Sequence, residues 1–255
     1  MRARRLLSNL ALALVVAGCA TAAPPPGPPL ADEVRRLVAL LTLRRDEFSD
    51  LRTLSEVTVR RGTAVQRFAG ALLVKPPASA RFEALSPFGQ PFLVVAMSDG
   101  TLTSYNVVEN SALTGPVGEK TSGRWLGVPL GPEDIVGLLL GRVLPPAGMT
   151  AAEILPADDA GPSIQMVGHD RTERVWMDFE TGEARKVEIS GGRHTLIVDY
   201  RPEPSRDLPA EIHAIAPGTG FEATVRYRQP AIATGIDAER FRLTVPQGAN
   251  VQRFY

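Results

Sequence analysis

The sequence predicts a mainly β fold: one continuous antiparallel sheet with a few helices covering its concave side. Three observations predict it. From about residue 54 onward, apolar residues alternate with polar ones at a period of two. Turn-forming residues break that alternation roughly every ten positions, the spacing of a meander. Only two segments, 31–50 and 132–140, carry apolar residues at helical spacing, and each needs a surface to cover.

The first 18 residues read as an address rather than as a fold. Arg2, Arg4 and Arg5 precede an apolar stretch from Leu10 to Val16, and the small pair Ala17 and Gly18 follows. Basic, apolar and small in that order is the layout of a secretory signal. The apolar run is shorter than the roughly 20 residues a membrane-crossing helix needs. Cys19, the only cysteine, comes next, so no disulfide within the chain is possible. Residues 19–30 form a tether whose Ala22–Pro29 portion carries five prolines and favours an extended, semi-rigid backbone. Beyond the signal, 25 basic side chains face 28 acidic ones with no basic block, which argues against nucleic acid or anionic lipid headgroups as the main partner.

The remaining residues, 31–255, read as a single domain. The first helix is expected over about Ala31 to Asp50: Val34, Leu37, Val38, Leu41 and Phe48 form one face, with Asp32 as an N-terminal cap. Strands are then expected at 54–61, 64–74, 79–86, 91–98 and 101–107, with Ser98-Asp99-Gly100 as a tight hairpin turn. A short helix follows at about Pro132 to Leu140, with proline in its first turn and acidic groups near its N-terminus. Further strands are expected at 152–157, 162–168, 172–179, 184–190, 194–201, 210–216, 221–228 and 240–244.

Two resemblances add to this reading. Val15-Val16-Ala17-Gly18-Cys19 resembles the lipobox of bacterial lipoproteins, with Val16 where leucine is more usual. The resemblance implies that Cys19 receives a diacylglycerol and an N-acyl chain and becomes the mature N-terminus. Ala20 in place of aspartate implies sorting to the outer membrane, facing the periplasm. Ala80-Arg81-Phe82-Glu83-Ala84-Leu85-Ser86-Pro87-Phe88-Gly89-Gln90, the helix Leu130–Gly141 and the closing Phe241–Ala249 are together similar to the LolA/LolB superfamily, and most of all to LolB-like outer-membrane lipoproteins. Phe88 stands where a loop-tip leucine is more usual, and Arg142 follows Gly141. The family likeness implies an open antiparallel half-barrel of about 11 strands. It also implies an apolar cavity for acyl chains of lipids or lipoproteins, a soluble periplasmic carrier as partner, and a monomer.

Two candidate sites follow. In the loop Ser86–Phe92, Pro87 and Pro91 restrict the backbone and Gly89 permits a reversal. Phe88 then either projects outward or folds into the core; Phe92, which opens a strand, is expected to fold back. The second site is a cavity wall of alternate strand residues under a lid helix bearing Ile135, Leu138 and Leu139. The same alternation encodes a filled core equally well. Catalysis, cofactors and metals find no support, since His169, His194 and His213 lack a second ligand at metal-binding spacing. The rival function is an envelope-assembly scaffold or binding module that carries no lipid.

Overall fold

The computed structural model describes residues 30–203 and 207–255, and of Trp125 the backbone alone. The signal segment, Cys19 and the proline-rich tether to Pro29 lie outside the described residues. Helix α1 (Asp32–Asp46) leads into six strands: β1 (Leu51–Arg61), β2 (Ala64–Lys75), β3 (Ser79–Leu85), β4 (Pro91–Ser98), β5 (Thr101–Asn106) and β6 (Ser111–Pro116). Two short helices follow, α2 (Glu119–Trp125) and α3 (Pro132–Leu140). A second run comprises β7 (Ala151–Asp158), β8 (Gly161–Val167), β9 (Arg171–Met177), β10 (Ala184–Gly191), β11 (His194–Pro202), β12 (Pro209–Ala216) and β13 (Phe221–Ile232), and β14 (Asn250–Arg253) ends the chain.

All the strands join one sheet in the order β14-β6-β5-β4-β3-β2-β1-β13-β12-β11-β10-β9-β8-β7. Two meanders thus grow outward from a central seam, where β1 and β13 pair from Leu51↔Ile232 to Arg61↔Phe221. The sheet stays open, with β14 and β7 at its two edges. Every pairing is antiparallel except β14 with β6, which is parallel.

The open β architecture with helices on it matches the sequence expectation, and the element details differ in five places. Among the described residues the sheet has 14 strands rather than about 11. Strand β6 and helix α2 fall where no element was expected, because Ser111–Pro116 is small and broken by Gly115, and Glu119–Trp125 is polar with a central glycine. Helix α1 stops at Asp46, and Asp32 is in its first turn pairing with Arg35 while Ala31 holds the cap position. Asp50, expected at the end of that helix, instead accepts hydrogen bonds from the amides of Thr234, Gly235 and Ile236 and from the Thr234 hydroxyl at 2.7 Å.

The fifth difference is the expected strand at 240–244. Residues Ala238–Phe241 form one turn of 3₁₀ helix, capped by the Asp237 carboxylate on the Glu239 amide, and Phe241 is buried. Arg81 donates to the carbonyls of Arg240 and Arg242, so a side chain takes the bonds that a strand ladder would supply. The closing strand is β14 instead, which is polar and pairs with β6.

The helices divide the concave face unequally. Helix α1 buries Val34, Leu37 and Leu41 in a cluster with Ile164, Met166, Val175 and Val187 from β8–β10. Arg36 and Arg44 fix it by donating to the carbonyls of Phe179 and Thr181 in the β9–β10 turn. Helix α3 lies nearer the middle of the sheet, against β2 and β3. The concave face from β2 to β5 has no helix like α1 over it, and several of its apolar residues (Phe82, Val95, Leu102) are only half-buried.

Candidate functional site

Helix α3 is placed by polar bonds at both ends. At its start the Asp134 carboxylate accepts the Gly131 amide at 2.7 Å, and the same carboxylate receives Arg171 of β9 in a two-pronged bond at 2.7 Å. Arg171 also donates to the Pro129 carbonyl and, at 2.6 Å, to Glu173. One guanidinium therefore serves two interior carboxylates. Burial pushes the Glu173 carboxyl up to about 7; the neighbouring Asp134 charge adds to this, and Arg171 opposes it. At its end Gly141 takes a left-handed φ of 66°, and the Arg142 amide reaches back to the Gly137 carbonyl at 2.8 Å. That bond closes the helix in a Schellman arrangement, which glycine adopts without a Cβ penalty. Arg142 is buried and donates to the Asp207 carboxylate and, at 2.8 Å, to its carbonyl, and the Tyr227 hydroxyl donates to the Leu139 carbonyl.

Held in this way, α3 presents Ile135, Leu138 and Leu139 to the sheet, and the space beneath is not filled. A hollow of about 260 Å³ lies between Ile135 and Leu139 on one side and Leu72, Phe82, Val95 and Met97 on the other. A second of about 180 Å³ lies beyond Leu138, walled by Leu130, Leu196, Ile212 and Phe221. Ile135, Leu139 and Val225 belong to both, so the two flank the lid helix. Their walls are almost wholly apolar and both open to the surface. Such a space suits hydrocarbon and offers no paired acid and base for chemistry.

The loop after β3 is a closed turn. Gly89 and Ser86 exchange a hydrogen bond at 2.9 Å, Ser86 and Gln90 another at 2.8 Å, and the Ser86 hydroxyl accepts the amides of Phe88 and Gln90. With Gly89 at φ 76° the tip reverses and Phe88 stands 90% exposed, with Pro87 and Gly89 exposed beside it. Phe92 is half-buried, its ring 6.3 Å from that of Phe68. The neighbouring β5–β6 turn, joined by the Val107 amide to the Phe92 carbonyl at 2.9 Å, exposes Val108 to 80%. This second apolar tip was not anticipated; its signal was the pair Val107-Val108 running on into turn residues Glu109-Asn110.

The structure does not bring the Phe88 loop and the lid helix together: the loop is at one end of the open half, and Ile135, Leu138 and Leu139 face its interior. Of the histidines, His213 pairs across strands with Glu222 at 3.1 Å, while His169 lies against Gly148 and His194 against Gly127 and Gly218. Among the described residues no three His, Cys, Asp or Glu side chains gather as a metal site, and no helix is long and apolar enough to cross a membrane.

No family profile and no curated protein matches this chain. Solved structures do. A DUF1329 family protein from Desulfovibrio piger superposes with a TM-score of 0.60 at 11% identity, over 83% of this chain and 98% of its own. A LolA superfamily protein from Nitrosomonas europaea gives 0.55 at 11% identity, over 84% and 99%. A protein from Vibrio parahaemolyticus described as an outer membrane lipoprotein-sorting domain gives 0.53 at 12% identity, over 80% and 94%. At these identities the likeness concerns architecture alone: this chain shares the overall fold of these three proteins.

Proposed function

We propose that this protein is an acyl-chain binder of the outer membrane, anchored through lipid on Cys19 and working in lipoprotein localisation in the manner of LolB-like proteins. The observation that carries the reading is the unfilled apolar space on both sides of α3. At about 30 Å³ for a group the size of a water molecule, the two hollows have room for roughly eight and six methylenes, the length of one lipid tail. Burying that many contributes on the order of 10 kcal/mol gross, before the costs of association. The fold shared with a lipoprotein-sorting domain supports the same reading.

In this scheme the proline-rich tether gives reach from the membrane, α3 is the lid, and Phe88 with Pro87 and Gly89 touches cargo or bilayer. A soluble periplasmic carrier would hand over the cargo, and transfer would run down an affinity gradient. The test is mass spectrometry of lipids that remain with the detergent-purified protein, together with Val95→Trp, which places an indole in the larger hollow. Bound diacyl species in the native protein, reduced about tenfold or more in the variant, are expected. An empty native protein that does not take up palmitic acid would instead favour an envelope-assembly scaffold.

A further inference from the structure

Next to the smaller hollow, and at the same end of the sheet as the Phe88 loop, is a cleft of about 640 Å³ rimmed by charged side chains. One wall is a face of α2: Glu119, Lys120, Gly123 and Arg124 recur at helical spacing and all line it. The opposite wall is made by Asp170 of the β8–β9 turn and Arg193 of the β10–β11 turn. Three cations and two carboxylates thus surround one space, and among the described residues none of the five is in an ion pair.

The cleft and the hollow share their boundary residue by residue. Gly127 and Pro129 line the cleft while Leu126 and Leu130 line the hollow; Thr219 lines the cleft and Phe221 the hollow. On β11, His194 and Leu196 are two residues apart and so lie on one face, the first in the cleft wall and the second in the hollow wall. The His194 ring is wedged between Gly127 and Gly218, where an added Cβ would approach it to 2.4 and 2.0 Å. The dividing segment is fixed as well: the Ser122 hydroxyl of α2 accepts the Leu130 amide at 2.7 Å and donates to its carbonyl at 2.8 Å. A cleft with charged side chains therefore adjoins an apolar hollow along a shared, well-fixed boundary.

From this juxtaposition we infer that the cleft is a headgroup site for a phospholipid, one of whose tails occupies the hollows. The inference rests on the acyl-chain reading above and specifies its ligand. Lys120, Arg124 and Arg193 suit a phosphodiester, which arginine and lysine recognise through charge-assisted hydrogen bonds. Glu119 and Asp170 add a requirement that a purely anionic headgroup does not meet. They suit an ammonium, so the headgroup that satisfies both signs is a phosphodiester bearing an amine.

The experiment uses the full chain, delipidated in detergent and exposed to mixed micelles with equal amounts of dipalmitoyl phosphatidylethanolamine, dipalmitoyl phosphatidylglycerol and palmitic acid. Bound lipid is then quantified by mass spectrometry, with circular dichroism checking that each variant is folded. Native protein is expected to prefer the ethanolamine lipid over the glycerol lipid about fivefold or more. Lys120→Ser with Arg124→Ser and Arg193→Ser should lose both phospholipids about tenfold, the effect of removing charged hydrogen-bond donors, and keep palmitic acid. Glu119→Gln with Asp170→Asn, a change that conserves side-chain shape, should keep phospholipid and lose the preference between headgroups. Unchanged phospholipid binding in the first variant, or an unchanged preference in the second, overturns the headgroup site while leaving the acyl-chain reading intact. Failure of the native protein to bind any of the three lipids overturns both.

Discussion

The two halves of the sheet are written in the same alternating pattern and end in different physical states. On the β8–β10 side, Ile164, Met166, Val175 and Val187 are buried in one cluster with Val34, Leu37 and Leu41 of α1. On the β2–β5 side, Phe82, Val95 and Leu102 point the same way into space that is partly empty. Alternation decides which residues face inward. What covers them decides whether inward means packed. The packed strands also anchor the lid, through Arg171 of β9 on Asp134 of α3, while the space beside the lid stays unfilled.

The sharpest test of that division is the bridge between the lid and the sealed half. Arg171→Ala leaves Asp134 and Glu173 buried without their guanidinium and should cost about 3–5 kcal/mol in urea unfolding. Next in size is a direct comparison of the two cores. Ile164→Ala in the sealed half should cost about 3 kcal/mol, while Val95→Ala beside the hollow should cost less than about 1 kcal/mol, because no tightly packed neighbours surround the lost methyls. Equal losses would show that the hollow closes in solution and that the halves do not differ.

The pH dependence sharpens the comparison further. Glu173 titrates in the folded protein at about 7 rather than at 4.5, so between those values the native state holds a proton that the unfolded chain has released. Stability from this group is therefore greatest at low pH, falls as pH rises through that window and levels off above it. The drop should be on the order of 3 kcal/mol, and Glu173→Gln should abolish it. Asp50 has the opposite sign. Burial raises its pKa, but the hydrogen bonds from Thr234 and the following amides outweigh this and lower it, so its contribution is lost only in stronger acid. The smallest stability effect belongs to Phe88→Glu at the end of the open half. Its melting temperature should match the native protein, while binding to cargo or vesicles should fall by roughly 1.5–3 kcal/mol, about tenfold or more. A marked drop in melting temperature would assign Phe88 to the core.

The same contrast explains what could be read from residues alone. Helix α3 was legible to its ends because Gly131-Pro132 starts it and Gly141 stops it, and both signals are local. The Ser98-Asp99-Gly100 turn was legible for the same reason, with Asp99 and Gly100 at φ 50° and 69°. Helix α2 was not, since its seven residues lack an apolar stripe and its order comes from the Ser122–Leu130 bonds eight positions away. The pattern Phe241–Thr244 imitated a strand, yet Arg81 from β3 satisfied its carbonyls first. The hollow was the least legible feature. Val95 and Ile164 both face inward in alternating strands, and only long-range packing separates the filled interior around Ile164 from the hollow beside Val95.

The four residues of β14 have a consequence out of proportion to their length. They run alongside β6 as a selvedge, and Phe254 lies so close to Gly115 that an added Cβ there would meet its carbonyl at 2.3 Å. Trimming the chain before Asn250 would bare a row of amide and carbonyl groups along β6, a template for molecule-to-molecule stacking. Truncations ahead of Asn250 should accordingly increase self-association in solution, even where every residue lining the hollows is untouched.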